Sequence, residues 1–167
     1  MAGLDEAIQT LNPLHPRVTT AWRLSGLIFA AFITAMAAVL DLSVLAAADA
    51  GPIATGIITL VTAVLAFPLA LIWPSLRYRH WRWQVEPDRL IIHKGVIWRS
   101  YSLIPRVRVQ HVDTRTSPLQ RWLGLSSLII YTAGTRGADA EIPGLSATQA
   151  EQLRDELAQL VESDEPD

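Results

Sequence analysis

The residues able to do chemistry are few and scattered. Histidine and the carboxylates are the commonest acid–base and metal-binding groups, and the chain has four histidines, His15, His80, His93 and His111. No two of them stand at metal-ligand spacing. His111 and Asp113 form one close pair, and two residues apart on a strand they would share a face and hydrogen-bond as a structural pair. The absence of cysteine removes thiolate metal sites, cysteine nucleophiles and disulfide staples. No G-x-S-x-G elbow, phosphate-binding loop or dinucleotide-binding glycine fingerprint occurs. An enzyme is not expected from these residues, nor is a cofactor or a metal.

Charge placement offers more. The formal net charge is −2, but from Arg77 to Arg121 there are ten Lys or Arg against three acidic residues, and from Trp122 onward two against nine. Arg106, Arg108 and Gln110 alternate with Val107 and Val109, so a strand there projects the three polar side chains from one face. That ridge is the candidate partner-binding site. A solvated face on a half-buried strand is the plainer account of the same pattern. A basic ridge suits an acidic protein partner, and the acidic region of a second copy, including Glu162, Asp164 and Glu165, is the first candidate. Arg77, Arg79 and Arg82 directly follow an apolar stretch. They are candidate lipid-headgroup contacts, each contributing about 1 kcal/mol at an anionic leaflet, and the same residues serve equally as topology anchors. Basic residues beside a membrane are better explained by lipid than by nucleic acid, which is not an expected partner.

The membrane enters through composition. Half the residues are hydrophobic and 18% are charged, below the roughly 25% charge of an ordinary soluble domain. Between Asp49 and Arg77 no charged side chain occurs, a stretch longer than the ~20 apolar residues that cross a bilayer core. Pro68 lies inside it, where a kink is expected, and Trp73 takes an interfacial position. An earlier apolar run, Leu24 to Ala48, is interrupted by Asp41. An aspartate costs at most ~3 kcal/mol at mid-membrane, whereas each of about eleven Leu, Ile, Phe and Val residues returns ~0.3 to 0.6, so insertion wins. Asp41 is read as an interfacial residue. The run also exceeds the roughly 7 to 15-residue core of a cleaved signal sequence. Arg17 and Arg23 precede the first span and Arg77, Arg79 and Arg82 follow the second, while the intervening loop has no positive charge. Both termini are therefore expected on the cytoplasmic side of the cell membrane.

Beyond LRYRH the pattern changes to short runs rich in Trp, Val, Ile and Tyr, which read as strands. Strands are predicted near Trp81–Val85, Arg89–His93, Val96–Leu103, Val107–Val112, Leu128–Tyr131 and Ala140–Ile142. Turns are placed at Glu86-Pro87-Asp88, Lys94-Gly95 and Ala133 to Gly137, and Pro143-Gly144 is read as breaking the last strand. Ser146 followed by Gln149 forms a capping box that opens a helix, in which Ala150, Leu153, Leu157 and Leu160 recur at core spacing. The resulting organisation is an N-terminal cytoplasmic segment (1–21), a first transmembrane helix (22–48), an external loop (49–52), a second transmembrane helix (53–76), a cytoplasmic domain (77–162) and an acidic tail (163–167).

The string IPRVRVQHVDTRTSPLQRWLGLSSLIIYTAG, followed by EIPGLS and a terminal helix, resembles the bacterial pleckstrin-homology (bPH2-type) domain of the YdbS-like membrane proteins. In that family a pair of transmembrane helices precedes the domain. The resemblance implies a mainly-β split barrel of about seven strands capped by the C-terminal helix, and no established catalytic activity. Pro118, Gly124 and Gly134 also read as turn positions, and Leu119 and Leu123 as core. Eukaryotic pleckstrin-homology domains that bind phosphoinositides use a basic first hairpin, whereas the matching turn here carries Glu86 and Asp88 beside Arg89. The resulting expectation is a non-enzymatic interaction or scaffold module at the inner leaflet. Its expected partners are the lipid bilayer and either another protein or a second copy, with anionic lipid as a further contact. The alternatives are a membrane-associated enzyme, a transporter accessory subunit or an anionic-lipid sensor.

Overall fold

The computed structural model describes residues 10–48, 56–133 and 140–163, with side chains described through Ser43 in the first long helix and Ala158 in the last. The predicted external loop, the turn residues from Gly134 onward and the tail beyond Ser163 lie outside the described residues. Two compact units make up the chain: Trp22–Leu76, and Met1–Ala21 together with Arg77–Asp167.

The first unit is a helical hairpin. Helix α1 runs from Arg17 to Ala48 and α2 from Ile57 to Arg79. Both contain segments long and apolar enough to cross a membrane, of 27 and 23 residues. Phe29, Phe32, Leu42, Leu60, Leu65 and Leu69 all stand at least 60% exposed, the surface of a helix whose solvent is lipid and not of a soluble core helix. Small residues line the contact between the helices. Ala30 and Ala37 are buried, and a Cβ on Gly26 would lie 3.2 Å from Ala70 Cβ. Close backbone approach of this kind supplies the packing that the hydrophobic effect cannot supply between helices in lipid. Helix α2 passes through Pro68 and Pro74 without interruption.

Asp41 also has a structural partner in the hairpin. It is 5% exposed, and its Oδ2 accepts hydrogen bonds from the Thr59 backbone N at 2.9 Å and from Thr59 Oγ1 at 2.6 Å. Thr59 is the third residue of α2, one of the first-turn N–H groups left without an intrahelical acceptor. Asp41 thus caps α2 from the neighbouring helix, doing the work an N-cap side chain normally does from its own chain segment. At the other end of the hairpin Arg23 Nη2 donates to Ser75 Oγ at 2.7 Å.

The second unit is built of two antiparallel sheets. Strands β1 (Asn12–Pro13), β2 (Arg82–Val85), β3 (Arg89–Lys94) and β4 (Ser100–Pro105) form one in that order; β5 (Val109–Arg115), β6 (Leu125–Thr132) and β7 (Ala140–Ser146) form the other. A short helix α3 (Pro118–Leu123) joins β5 to β6, and α4 (Ala147–Ser163) closes the chain. Seven strands in two sheets and a terminal helix are the architecture of a pleckstrin-homology-like split barrel. Its core is Leu90 and Ile92 from β3, Leu128 and Ile130 from β6, Ile142 and Leu145 from β7, and Ala150, Leu153 and Leu157 from α4, all buried. Each fully buried large aliphatic side chain contributes about 1.5–3 kcal/mol. Ser146 Oγ accepts from the Gln149 N–H at 3.2 Å, as the cap at the start of α4 requires.

The segment before α1, read from sequence as separate, is part of this unit. Asn12 and Pro13 pair with Trp83 and Arg82, the His15 N–H donates to the Gly144 carbonyl at 2.9 Å, and Leu11, Leu14, Val18 and Ala21 are buried. In topological terms the hairpin is an insertion between two paired strands, β1 and β2. Of the strand boundaries that differ from expectation, three change the local path of the chain. Val96–Arg99 form a loop instead of the start of β4, because Gly95 at φ +117 turns the chain tightly back on Trp98. Arg106–Arg108 form a 3-10 turn. Pro143-Gly144 bends β7 through a bulge without ending it, since Gly144 adopts φ +62, open to a residue lacking Cβ.

Candidate interaction surface

The 3-10 turn changes the geometry of the candidate ridge. A strand would have aligned Arg106, Arg108 and Gln110; the turn fans them apart. The Arg106 side chain is only 13% exposed and its Nη2 meets Glu156 Oε1 of α4 at 3.1 Å, so the acidic partner of this arginine comes from its own chain. Arg108 is exposed and its backbone carbonyl accepts from Ala133 N at 2.9 Å. Gln110 is the extra residue in a bulge between Val109 and His111, exposed and out of the ladder. Of the acidic residues proposed to face such a ridge, Asp164 and Glu165, with the side chain of Glu162, lie outside the described residues.

The basic residues after α2 divide similarly. Arg82 Nη1 donates to the Trp81 carbonyl at 2.8 Å and reaches that of Tyr78 at 3.5 Å, placing a cation at the negative, C-terminal end of the helix dipole. Arg77 and Arg79 are exposed, with Arg77 also in the field of Glu141 on β7. In the β2–β3 turn Arg89 Nε binds Glu86 Oε2 at 2.6 Å, with Asp88 at 3.8 Å. Both acids hold its guanidinium still more firmly protonated, and they set two negative charges beside it where a phosphate would have to approach.

The histidine–carboxylate pair forms as expected, His111 Nε2 to Asp113 Oδ1 at 3.0 Å, but both side chains are more than half exposed. The His111 ring also packs 5.8 Å from Tyr131, its cross-strand partner. Among the described residues no three His, Asp or Glu side chains gather where they would hold a metal ion.

The motif SPLQRWLGLSS resolves into architecture. Ser117 Oγ accepts from Gln120 N at 3.2 Å while Gln120 Oε1 accepts from Ser117 N at 2.9 Å, a reciprocal capping box with Pro118 in the first turn. Gln120 Nε2 donates to Ser127 Oγ at 3.0 Å, tying the helix to β6. Gly124 ends α3 at φ +68. Leu119 and Leu123 are half-buried at the edge of the core.

The feature that sequence reading passed over is β4. It is the outermost strand of its sheet: β3 pairs along one side, and among the described residues no strand pairs along the other. Native edges are normally blunted by charge, bulges or cover. Here SYSLIP carries no charge, and Tyr101 and Leu103 on its outer face are 46% and 50% exposed. The signal was present in sequence as an uncharged strand with alternating apolar residues, but which strand is outermost is decided by pairing, which sequence does not show.

Comparison with known proteins agrees with this architecture. The family model described as bacterial PH domain matches residues 24–161, from within α1 through β2 to β7 and most of α4. Over 153 residues, 91% of this chain and 93% of the relative, the sequence is 30% identical to the UPF0699 transmembrane protein YdbS of Bacillus subtilis (strain 168). No solved structure matches. The chain belongs to the bacterial PH-domain family and is a YdbS-like membrane protein with two transmembrane helices.

Proposed function

We propose that this chain is a non-enzymatic interaction module of the cytoplasmic membrane, in which the hairpin fixes the location and the split barrel binds a partner protein at the inner leaflet. The observation that carries the reading is the uncharged edge of β4, unpaired among the described residues, with Tyr101 and Leu103 exposed. Such an edge accepts an extended segment by strand addition: backbone hydrogen bonds supply affinity, and alternate side chains supply selectivity. The occupant is an extended peptide segment with apolar residues at alternate positions, matching Tyr101 and Leu103 across the new pair. Exposed Arg108 beyond the end of β4 favours an acidic residue flanking that segment. The inner-leaflet assignment is supported by the positive charges beside both spans, with Arg79 exposed at the end of the second.

In-cell photocrosslinking tests this. A benzophenone amino acid replaces Tyr101, with Arg154 on α4 as the control position. A distinct protein adduct from position 101, absent from 154 and lost when Leu103→Lys is added, supports strand-edge docking. Lipid adducts alone, or the same adducts from both positions, overturn it.

A further inference from the structure

The β3–β4 loop carries the most exposed aromatic side chain of the described residues. Trp98 is 88% exposed and Ile97 beside it 71%. The loop is built, not slack: a Cβ on Gly95 would overlap the Trp98 carbonyl oxygen and lie 2.8 Å from its carbon, so only glycine allows this close return. Lys94 and Arg99 flank the pair and are exposed.

Strand register locates the loop. Arg82 lies opposite His93, which lies opposite Tyr101. The loop therefore projects from the end of the sheet where β2 begins, three residues after α2 ends at Arg79. On the other side of β2, Pro13 pairs with Arg82, and the chain continues from there to the start of α1 at Arg17. The chain's exit toward α1, the root of α2 and the Ile97-Trp98 tip thus share one end of one sheet, and the first turn of α1 then packs on Gly144 of β7. An aromatic and an aliphatic side chain between two cations is the composition of a segment that seats in the bilayer interface, with tryptophan at headgroup depth and cations on the phosphates.

We infer that the β3–β4 loop is a third membrane contact, seating Ile97 and Trp98 in the interface of the bilayer that α1 and α2 cross, with Lys94 and Arg99 against its headgroups. This does not depend on what binds β4 or on which leaflet is involved. Its effect is to restrain the barrel's rotation about the helix roots, so that the β4 edge is held in one orientation to the membrane plane.

The chain has no cysteine, so single positions can be labelled cleanly in the full-length protein. Ile97→Cys and Trp98→Cys, each carrying an NBD fluorophore, are reconstituted in phosphatidylcholine–phosphatidylglycerol vesicles, with Val107→Cys as control. Val107 is 79% exposed and follows Pro105, which pairs with Arg89 at the opposite end of the sheet. The expected result is blue-shifted emission at 97 and 98 that doxyl-labelled lipids quench, with emission at 107 water-like and unquenched. Emission at 97 and 98 as water-like as at 107 would overturn the inference. So would a blue shift that doxyl lipids do not quench but that fades on dilution of protein in lipid, the mark of contact with a second copy. Ile97→Cys keeps Trp98 in place, so loss of the tryptophan alone cannot produce either negative result.

Discussion

Gly144 is the position where the N-terminal segment is locked into the barrel, and replacing it with alanine tests that lock. Two costs add. The residue adopts φ +62, which costs an L-residue about 1–2 kcal/mol. A Cβ there would also overlap Val18 Cγ2 and lie 2.5 Å from Val18 Cβ, and overpacking of a buried contact costs about 1–3 kcal/mol. Gly144→Ala is therefore expected to destabilise the barrel by roughly 2–5 kcal/mol, a fall in melting temperature of roughly 8–20 °C for a unit of this size. The buried indoles of Trp81 and Trp83 report the transition by fluorescence in detergent micelles. The geometry also dictates the rescue. Val18→Ala removes Cγ2 but leaves the Cβ 2.5 Å from the new methyl, whereas Val18→Gly removes both, so Gly should couple favourably with Gly144→Ala, by about 1–3 kcal/mol in a double-mutant cycle, and Ala less. A melting temperature for Gly144→Ala within a few degrees of the parent would refute the packing argument. Equal rescue by Ala and Gly at position 18 would do the same.

Other consequences can be checked alongside. Gln120→Ala removes the acceptor for Ser117 N and the donor to Ser127 Oγ, and should lower barrel stability by about 1–2 kcal/mol in the same melts; Gln120→Glu, which keeps the acceptor, should lose less. Asp41→Ala strips α2 of its cap and should speed hydrogen exchange at the Thr59 amide, read by mass spectrometry in nanodiscs, while leaving barrel exchange unchanged. Similar exchange at Thr59 in both proteins would contradict the cap assignment. Glu156→Gln should release Arg106 and raise protease sensitivity at the 3-10 turn, with little change in melting temperature because this ion pair is partly exposed; unchanged cleavage would count against it.

Much of the fold is legible in sequence because it follows local rules. The two spans are declared by length and apolarity, and the terminal helix by Ser146, Gln149 and the Ala150, Leu153, Leu157 spacing. The second capping box, Ser117 to Gln120, obeys the same rule and was readable, but Pro118 and Gly124 made the segment look like a turn. What sequence does not show is settled by contacts between distant residues. Asp41 shows no partner until Thr59 is beside it, and the Leu11 to Val18 segment reads as a separate N-terminal stretch until Gly144 receives it. Arg106 and Arg108 show the limit of periodicity: their alternation fits a strand, yet the chain must turn between β4 and β5 to pass from one sheet to the other, and a 3-10 turn separates them. The outer edge of β4 is a property of the sheet as a whole, and no window of sequence contains it.

The reading of β4 as a docking edge is tested most directly by the size of the particle extracted gently from the membranes of the native cell, parent against Leu103→Lys. Leu103 is half exposed, so the substitution leaves the core intact while adding the charge that natural edges use to refuse a partner. The expected result is a parent complex larger than the chain in its micelle that Leu103→Lys reduces to the single-chain size, with unchanged melting of the barrel. A parent and a Leu103→Lys variant of identical size, whether both alone or both in the same complex, would contradict it.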